Sequence, residues 1–175
     1  MVYCSTASGR GVWVRLTGKK GRVTMNRKAL VTVLCVTAGL AVGQEAKPSP
    51  RVLLALEKTR FKEQLVDEMK QMLAKEGYEV SVLTHAKKKG LEAKAADFDA
   101  VFITNSGAHS KVRPWITAWL DANKAERDRI LLHTTQTRDW KVTADVDAVT
   151  SASSKKDAAT LATDYVTRLK AIIEK

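Results

Sequence analysis

The sequence RVLLALEKTRFKEQLVDEMKQMLAKEGYEVSVL, residues 51–83, contains two strand patterns separated by a helix pattern. Val52 to Leu56 is a short apolar run, typical of a strand that is buried on both faces. From Phe61 to Leu73, apolar residues recur mostly at spacings of three and four, which predicts an amphipathic helix. Gly77 stands where helices commonly end, and residues 78–83 alternate as a second strand would. The stretch therefore predicts a parallel strand–helix–strand unit.

The same alternation continues to the end of the chain. It predicts strands over 100–104, 129–133 and 146–150, and helices over 91–96, from Pro114 and from about Lys155. The polar residues after the third and fourth strands, 105–110 and 134–137, are predicted to be loops. Five strands alternating with helices indicate a three-layer α/β/α domain over 51–175. We expect a five-stranded parallel sheet in the order 2-1-3-4-5.

The charge of the chain is concentrated in its first residues. Of the 175 residues, 30 are Lys or Arg and 19 are Asp or Glu, giving a formal net charge of +11. Seven of the basic residues and none of the acidic ones lie in 1–44, which leaves +4 for the rest of the chain. Because those remaining charges are interspersed, the sequence does not favour a nucleic-acid partner. Both cysteines, Cys4 and Cys35, also lie in 1–44, so residues 45–175 can form neither a disulfide nor a Cys-based metal site.

Residues 25–46 have the pattern of a secretory signal peptide. Arg27 and Lys28 precede an uncharged, mostly apolar run, which is followed by small residues. The sequence therefore predicts a protein that is exported to the periplasm or secreted. The alternative is an uncleaved membrane anchor over 29–43, although this run is shorter than the roughly 20 residues of a membrane-spanning helix.

The residues on either side of this leader have simpler interpretations. Residues 1–24 read as an upstream extension or an over-long basic region, with Met25 as the alternative start. Residues 47–50, Lys-Pro-Ser-Pro, are predicted to be a short extended linker. Lipidation at Cys35 is not expected, because the bulky Leu34 precedes it.

The order and lengths of the predicted elements resemble the flavodoxin-like fold. Three pieces carry the resemblance: the first strand with its long helix and residues 77–80, then Asp97 to Val101, then Val146 to Ser153 before the last helix. Together they cover roughly 51–174. Trehalose-utilisation-type and amidotransferase-like α/β domains begin with a similar strand and helix but are usually longer. The resemblance implies a fold and gives less information about activity, because this fold supports many functions.

The resemblance raises the question of FMN. In flavodoxins the first loop, a Thr-x-Thr-Gly-x-Thr pattern, wraps the FMN phosphate with hydroxyls and backbone N–H groups. Here residues 57–62 read Glu-Lys-Thr-Arg-Phe-Lys, with no glycine, Thr59 as the single hydroxyl, and Glu57 bringing a negative charge. The loop after the fourth strand offers one aromatic residue, Trp140, for the flavin ring. We therefore expect a degenerate FMN site and no cofactor, with atypical FMN binding as the alternative.

Ligands of open α/β sheets bind at the carboxyl ends of the strands, near the point where the strand order reverses. The candidate ligand-binding residues at those ends are Lys58, Thr59, Arg60, Asn105, Ser106, Gly107, Thr134, Thr135, Gln136, Ser151 and Ser153. Hydroxyls, amides and two cations suit a small polar or anionic ligand. The alternative is that these residues are ordinary turn and cap residues of solvated loops.

Three histidines, His85, His109 and His133, lie at or just after the carboxyl ends of predicted strands two, three and four. A joint zinc site is disfavoured, because strands two and four would end about 14 Å apart. A His109–His133 pair is feasible. A serine hydrolase using Ser106 with these two histidines is a further alternative, although no Gly-x-Ser-x-Gly elbow positions the serine.

Two remaining features have structural interpretations. Trp115 and Trp119 lie four apart on one predicted helix, and we expect them to pack in the core. If exposed, they would form an interface anchor with Arg113 and Lys111. The run 87–89, Lys-Lys-Lys, is expected to be a solvated loop, with weak contact to an anionic surface as the alternative.

These observations favour a non-catalytic binding or accessory module for a small polar or anionic ligand or a protein partner. An atypical FMN-binding electron-transfer protein is the alternative, and a hydrolase is the weaker one. Membrane association is expected only through an uncleaved leader.

Overall fold

Five parallel strands and three α-helices form the domain in the part of the chain that the structure describes. The computed structural model describes residues 48–107, 111–152 and 157–175. The strands are β1 (Arg51–Glu57), β2 (Glu79–His85), β3 (Ala100–Ser106), β4 (Ile130–Gln136) and β5 (Asp147–Ala152). The α-helices are α1 (Arg60–Lys75), α2 (Pro114–Ala122) and α3 (Ala158–Ile173), with 3₁₀ turns at Ala95–Asp97 and Lys124–Arg129.

The strands form one sheet in the order β2-β1-β3-β4-β5, all parallel, which confirms the predicted order. Val52 of β1 pairs with Val80 of β2 on one side and with Ala100 of β3 on the other. Residues 52–56 are at most 3% exposed, as expected for a strand covered on both faces. The strand order reverses at β1, so the carboxyl ends of β1 and β3 lie side by side.

Helices cover both faces of the sheet. On one face, α1 and α3 pack over Val52, Leu54 and Phe102, and we call this the α1/α3 face. On the other, α2 and the turn at 95–97 pack over residues such as Leu53 and Ile103, and we call this the α2 face. Each large apolar side chain buried in these layers contributes about 1.5–3 kcal/mol to folding.

Local signals in the sequence set the ends of the helices. Thr59 caps α1, where its hydroxyl accepts a hydrogen bond from the Lys62 N–H at 3.3 Å. Past the end of α1, Gly77 adopts φ +86°, and its N–H donates to the Ala74 carbonyl at 3.1 Å. Pro114 is the first residue of α2, as predicted.

Two local predictions are wrong. The helix expected over 91–96 is reduced to the 3₁₀ turn at 95–97. The loops expected after the third and fourth strands begin later, because Asn105 and Ser106 belong to β3 and residues 134–136 belong to β4. The reason is that β4 is paired on both sides, so neighbouring strands satisfy its backbone groups despite the polar side chains.

No helix in the described ranges is long and apolar enough to cross a membrane. The predicted leader, both cysteines and the alternative anchor over 29–43 lie outside the described residues.

Candidate functional site

The candidate site is the carboxyl edge of the sheet where β1 and β3 end together. In open α/β sheets, ligands bind in the crevice at such a reversal of strand order. Residues 57–60 lead from the end of β1 into α1 on one side of this crevice, and on the other side Ser106 ends β3 and Gly107 follows it. A backbone-to-side-chain hydrogen bond joins the two strands here, from the Glu57 N–H to the Thr104 hydroxyl at 2.9 Å.

An ion pair links the two sides of the crevice. Lys62 in the first turn of α1 donates its ammonium to Glu57 Oε2 at 3.0 Å and to Ser106 Oγ at 2.6 Å. The Ser106 N–H donates to the same Glu57 oxygen at 3.0 Å. The Lys62 side chain is 1% exposed, whereas the Glu57 side chain is 21% exposed.

The electrostatics of this pair explain why both groups tolerate burial. Burial lowers the pKa of Lys62, while the hydrogen bond and negative charge of Glu57 oppose that shift. Burial acts to raise the pKa of Glu57, but hydrogen bonds from Ser106 and Lys62, with the nearby positive charges, hold it below its usual value. The carboxylate is therefore ionised at neutral pH and is the counter-ion of the buried ammonium.

The predicted rim residues lie at the outer lip of the crevice. Lys58, Thr59 and Arg60 are exposed. Lys58 is paired with Glu63 of α1 at 3.7 Å, an exposed contact that contributes little. The Thr59 hydroxyl accepts the capping hydrogen bond, and Arg60 begins the helix. Two cations thus flank the amino end of α1, where the helix dipole also favours an anion.

A second polar cluster lies further along the α1/α3 face, between β4, β5 and α3. His133 is fully buried, and its Nε2 is 3.0 Å from Ser151 Oγ. Its ring centroid lies 4.9 Å from that of Tyr165 and 6.2 Å from that of Phe102. Among the described residues, His133 Nδ1 has no hydrogen-bond partner. Burial, with a contribution from the charge of Lys62, lowers the pKa of His133 to about 3, so the ring is neutral.

The predicted histidine pair receives no support from these contacts. His133 belongs to β4, as predicted, but His109 is outside the described residues, so the pair stays a prediction. The described ranges contain no group of three His, Cys, Asp or Glu side chains that could hold a metal ion. The serine beside His133 is Ser151, whereas the hydrolase hypothesis named Ser106, which contacts Lys62 instead.

On the α2 face, the polar side chains bond to one another and to the start of α2. Asn105 is fully buried; its Oδ1 accepts from the Arg113 N–H at 3.1 Å and its Nδ2 donates to Thr134 Oγ1 at 3.0 Å. His85 lies between Trp115 Nε1, 3.1 Å from Nδ1, and the Thr104 carbonyl, 2.9 Å from Nε2. Because the indole can only donate, the proton of the neutral ring is on Nε2.

The remaining candidates are divided between the two faces. Gly107 donates its N–H to the Thr135 carbonyl at 2.9 Å, and a Cβ there would lie 2.6 Å from Thr134 Cγ2, so the close contact requires glycine. Gln136 is buried and donates to the Trp140 carbonyl. Ser153 lies outside the described residues. The structure therefore brings the β1–α1 connection together with Ser106, whereas Gly107 lies with Thr134 and Gln136.

The tryptophans of α2 occupy different environments. Trp119 is 7% exposed and donates to the Ala93 carbonyl at 2.6 Å, which confirms the predicted core position. Trp115 is partly buried against His85. The lysines at 87–89 are exposed, as expected.

The sequence identifies Lys62 and Glu57 as charged residues of the 57–62 segment, but it does not predict that they form an ion pair. A signal was present, because Lys62 precedes Leu65, Val66 and Met69 on the apolar stripe of α1. A lysine on a buried stripe requires a counter-ion, and Glu57 is the nearest acid in the preceding chain.

Comparisons with known proteins give structural likeness alone. No family model matches the chain, and no curated protein matches it. Solved structures with similar folds include a mutant flavodoxin from Pseudomonas aeruginosa (12% identity, TM-score 0.49, covering 71% of this chain and 99% of that chain). Another is a flavodoxin from the domain Archaea (8% identity, TM-score 0.48, 70% and 98%). A third is general stress protein 14 from Treponema denticola in complex with FMN (16% identity, TM-score 0.47, 70% and 99%).

These findings correct one prediction. The sequence led us to expect no cofactor, but the solved structures of similar fold include flavodoxins and a general stress protein in complex with FMN, so that expectation is wrong. The five-stranded parallel sheet in the order 2-1-3-4-5, with helices on both faces, shows that this chain has the flavodoxin-like fold.

Proposed function

We propose that this chain is an electron-transfer protein that binds FMN in an atypical way at the carboxyl edge of its sheet. The observation that carries the proposal is the reversal of strand order at β1, beside an α1 amino end flanked by exposed cations. In the flavodoxin-like fold, FMN lies at the crevice between β1 and β3. This is the point where residues 57–60 and Ser106 lie next to each other.

The rim of this crevice fits the phosphate of FMN. Lys58 and Arg60 supply two exposed positive charges, and the amino end of α1 supplies backbone N–H groups and a favourable dipole. Among the described residues, the Arg60 side chain has no ion-pair partner, so it is available to an anion. Deeper in the crevice, beside Lys62 and Ser106, the anion position is already filled, because the Glu57 carboxylate accepts hydrogen bonds from both residues there. The rim cations would therefore hold the phosphate, in place of a glycine-rich loop.

One exposed aromatic residue follows β4 in the chain. Trp140 is 45% exposed, an unusual degree of exposure for an indole, and its carbonyl is held by Gln136 at the end of β4. When bound, FMN supplies the electron-accepting and electron-donating chemistry, while the protein binds and orients it.

A titration of the full chain with FMN and with riboflavin, followed by quenching of flavin fluorescence, tests this proposal. We expect saturable binding of FMN and weaker binding of riboflavin, because riboflavin lacks the phosphate. Replacing both rim cations, Lys58→Ala with Arg60→Ala, is expected to weaken FMN binding and leave riboflavin binding unchanged. The matched control, Lys87→Ala with Lys88→Ala, also removes two exposed cations and is expected to change neither. Absence of FMN binding to the wild-type chain would refute the proposal.

We further propose that the domain acts outside the cytoplasm, since residues 25–46 have the pattern of a secretory leader. Expression in a bacterial host followed by amino-terminal sequencing of the periplasmic fraction tests this. A chain that begins near residue 47 is expected. An uncut chain in the membrane fraction would instead support the anchor over 29–43.

A further inference from the structure

The inner end of the crevice holds a buried cation whose partner comes from the protein itself. The Lys62 ammonium is almost completely removed from solvent, and its described acceptors are an ionised carboxylate and a serine hydroxyl. The Ser106 N–H points to the same Glu57 oxygen. A cation and a backbone N–H that converge on one anionic oxygen form the kind of group that binds phosphate and sulfate.

The two partners of this ion pair differ in their exposure to solvent. The Lys62 side chain lies under α1 on the buried stripe and is 1% exposed, so its ammonium is fixed. The Glu57 side chain is 21% exposed and belongs to the last residue of β1, at the lip of the crevice. The Glu57 carboxylate is therefore the partner that a solvent-borne anion can displace, because the Lys62 ammonium has almost no access to solvent.

We propose that Lys62 and Ser106 form an oxyanion-binding site and that the Glu57 carboxylate is its internal occupant. The ligand class is a tetrahedral oxyanion, either a free one or the phosphate of an ester. Such a ligand reaches the site only when Glu57 is displaced, since two anions cannot share one ammonium without repulsion. Glu57 thus determines how strongly the inner crevice takes an anion.

For the phosphate of FMN, this inference rests on the proposed function. For free sulfate and inorganic phosphate, it does not. If FMN binds at the switch point, its phosphate competes with Glu57 for the inner position and remains at the rim in the wild-type chain. Sulfate and inorganic phosphate probe the same site without a flavin. The inference can therefore hold even where FMN does not bind.

The test titrates sulfate into the full chain at constant ionic strength, balanced with sodium chloride, and follows the melting temperature. Glu57→Gln keeps an oxygen that accepts from Lys62 but removes the charge. We expect its affinity for sulfate to exceed that of the wild-type chain by more than about tenfold, because like charges placed together are strongly unfavourable. The double variant Glu57→Gln with Lys62→Gln serves as the matched control and is expected to lose this gain.

A second acid variant keeps the test decisive if Glu57→Gln fails to fold. Glu57→Asp retains the charge on a side chain one methylene shorter, which moves the carboxylate away from Lys62, and a smaller gain in sulfate affinity is expected. Equal sulfate affinity in the wild-type chain and the folded Glu57 variant would overturn the inference. So would a double variant that binds sulfate as tightly as Glu57→Gln.

Repeating the titration with FMN and riboflavin separates the two proposals. Sulfate binding by Glu57→Gln without FMN binding by any chain would support the oxyanion site and refute the electron-transfer function. The opposite outcome is that the wild-type chain binds FMN and Glu57→Gln gains affinity for neither FMN nor sulfate. That outcome would support flavin binding and refute the oxyanion site.

Discussion

The two faces of the sheet use polar residues in different ways at the same carboxyl edge. On the α2 face, Asn105 and His85 make hydrogen bonds through both of their polar atoms, and their partners belong to neighbouring strands and to α2. On the α1/α3 face, the polar groups include the Lys62–Glu57 ion pair and two buried atoms without a hydrogen-bond partner among the described residues, His133 Nδ1 and the Tyr165 hydroxyl.

This contrast separates a face that stabilises the fold from a face whose polar groups are suited to a ligand. A neutral, fully bonded network costs little to bury and fixes the start of α2 relative to β2 and β3. A buried ion pair is at best a marginal source of stability, and an unpartnered buried nitrogen costs free energy. We infer that the α2 face is a scaffold and that the α1/α3 face is the ligand side.

The largest expected effect comes from breaking the ion pair on the α1/α3 face. Glu57→Ala leaves the Lys62 ammonium buried with Ser106 Oγ as its remaining described partner. We expect the free energy of unfolding to fall by about 3 kcal/mol, since removal of one partner leaves an uncompensated buried charge. Urea denaturation measures it. Adding Lys62→Met should recover much of the loss, and a double variant as unstable as the sum of the two single variants would argue against pairing.

Lowering the pH is expected to reduce the free energy of unfolding by a smaller amount, through protonation of His133. Its pKa is about 3 in the folded chain and about 6.5 when unfolded, so between these values the unfolded state binds the extra proton. The contribution of His133 to stability is therefore complete above pH 6.5 and is lost as pH falls toward 3. At pH 5 the loss is about 2 kcal/mol.

Urea denaturation of the wild-type chain and of His133→Gln at pH 7 and pH 5 isolates this contribution. The variant is expected to lose less stability than the wild-type chain between the two pH values, because it lacks the titrating ring. Equal losses in the two chains would show that His133 is charged, or reaches water, in the folded state.

On the α2 face, we expect a smaller loss that does not involve a charge. Trp115→Phe removes the donor to His85 Nδ1 and leaves a buried acceptor without its partner. A decrease of about 1–2 kcal/mol in the free energy of unfolding is expected. The matched control is Trp140→Phe, because Trp140 is 45% exposed, and it should change stability by less than about 0.5 kcal/mol. Similar losses for both variants would contradict a structural role for the His85–Trp115 contact.

The sequence predicts most of the fold because the signals that set it are local. The apolar run at 52–56, the helical stripe of α1 and Gly77 each specify one element from adjacent residues, and Pro114 marks the start of α2. The predicted helix over 91–96 fails because a weak local pattern has no packing partner long enough to extend it beyond a turn.

The site was less predictable because its contacts join residues far apart in the chain. Residues 134–136 look like a loop until β3 and β5 pair with them on both sides. Glu57 and Ser106 are 49 positions apart, and no local pattern reports that the backbone N–H of one reaches the carboxylate of the other. The burial of His133 likewise depends on α3, which covers it with Tyr165.

The most direct test of the ligand side is a map of backbone amide chemical shifts by NMR as FMN is added to the wild-type chain. We predict that the amide signals of residues 58–62 and of Ser106 shift in a saturable way, while those of His85 and Asn105 stay in place. Shifts confined to His85, Asn105 and α2, or the absence of any shift, would contradict the assignment of the α1/α3 face as the ligand side.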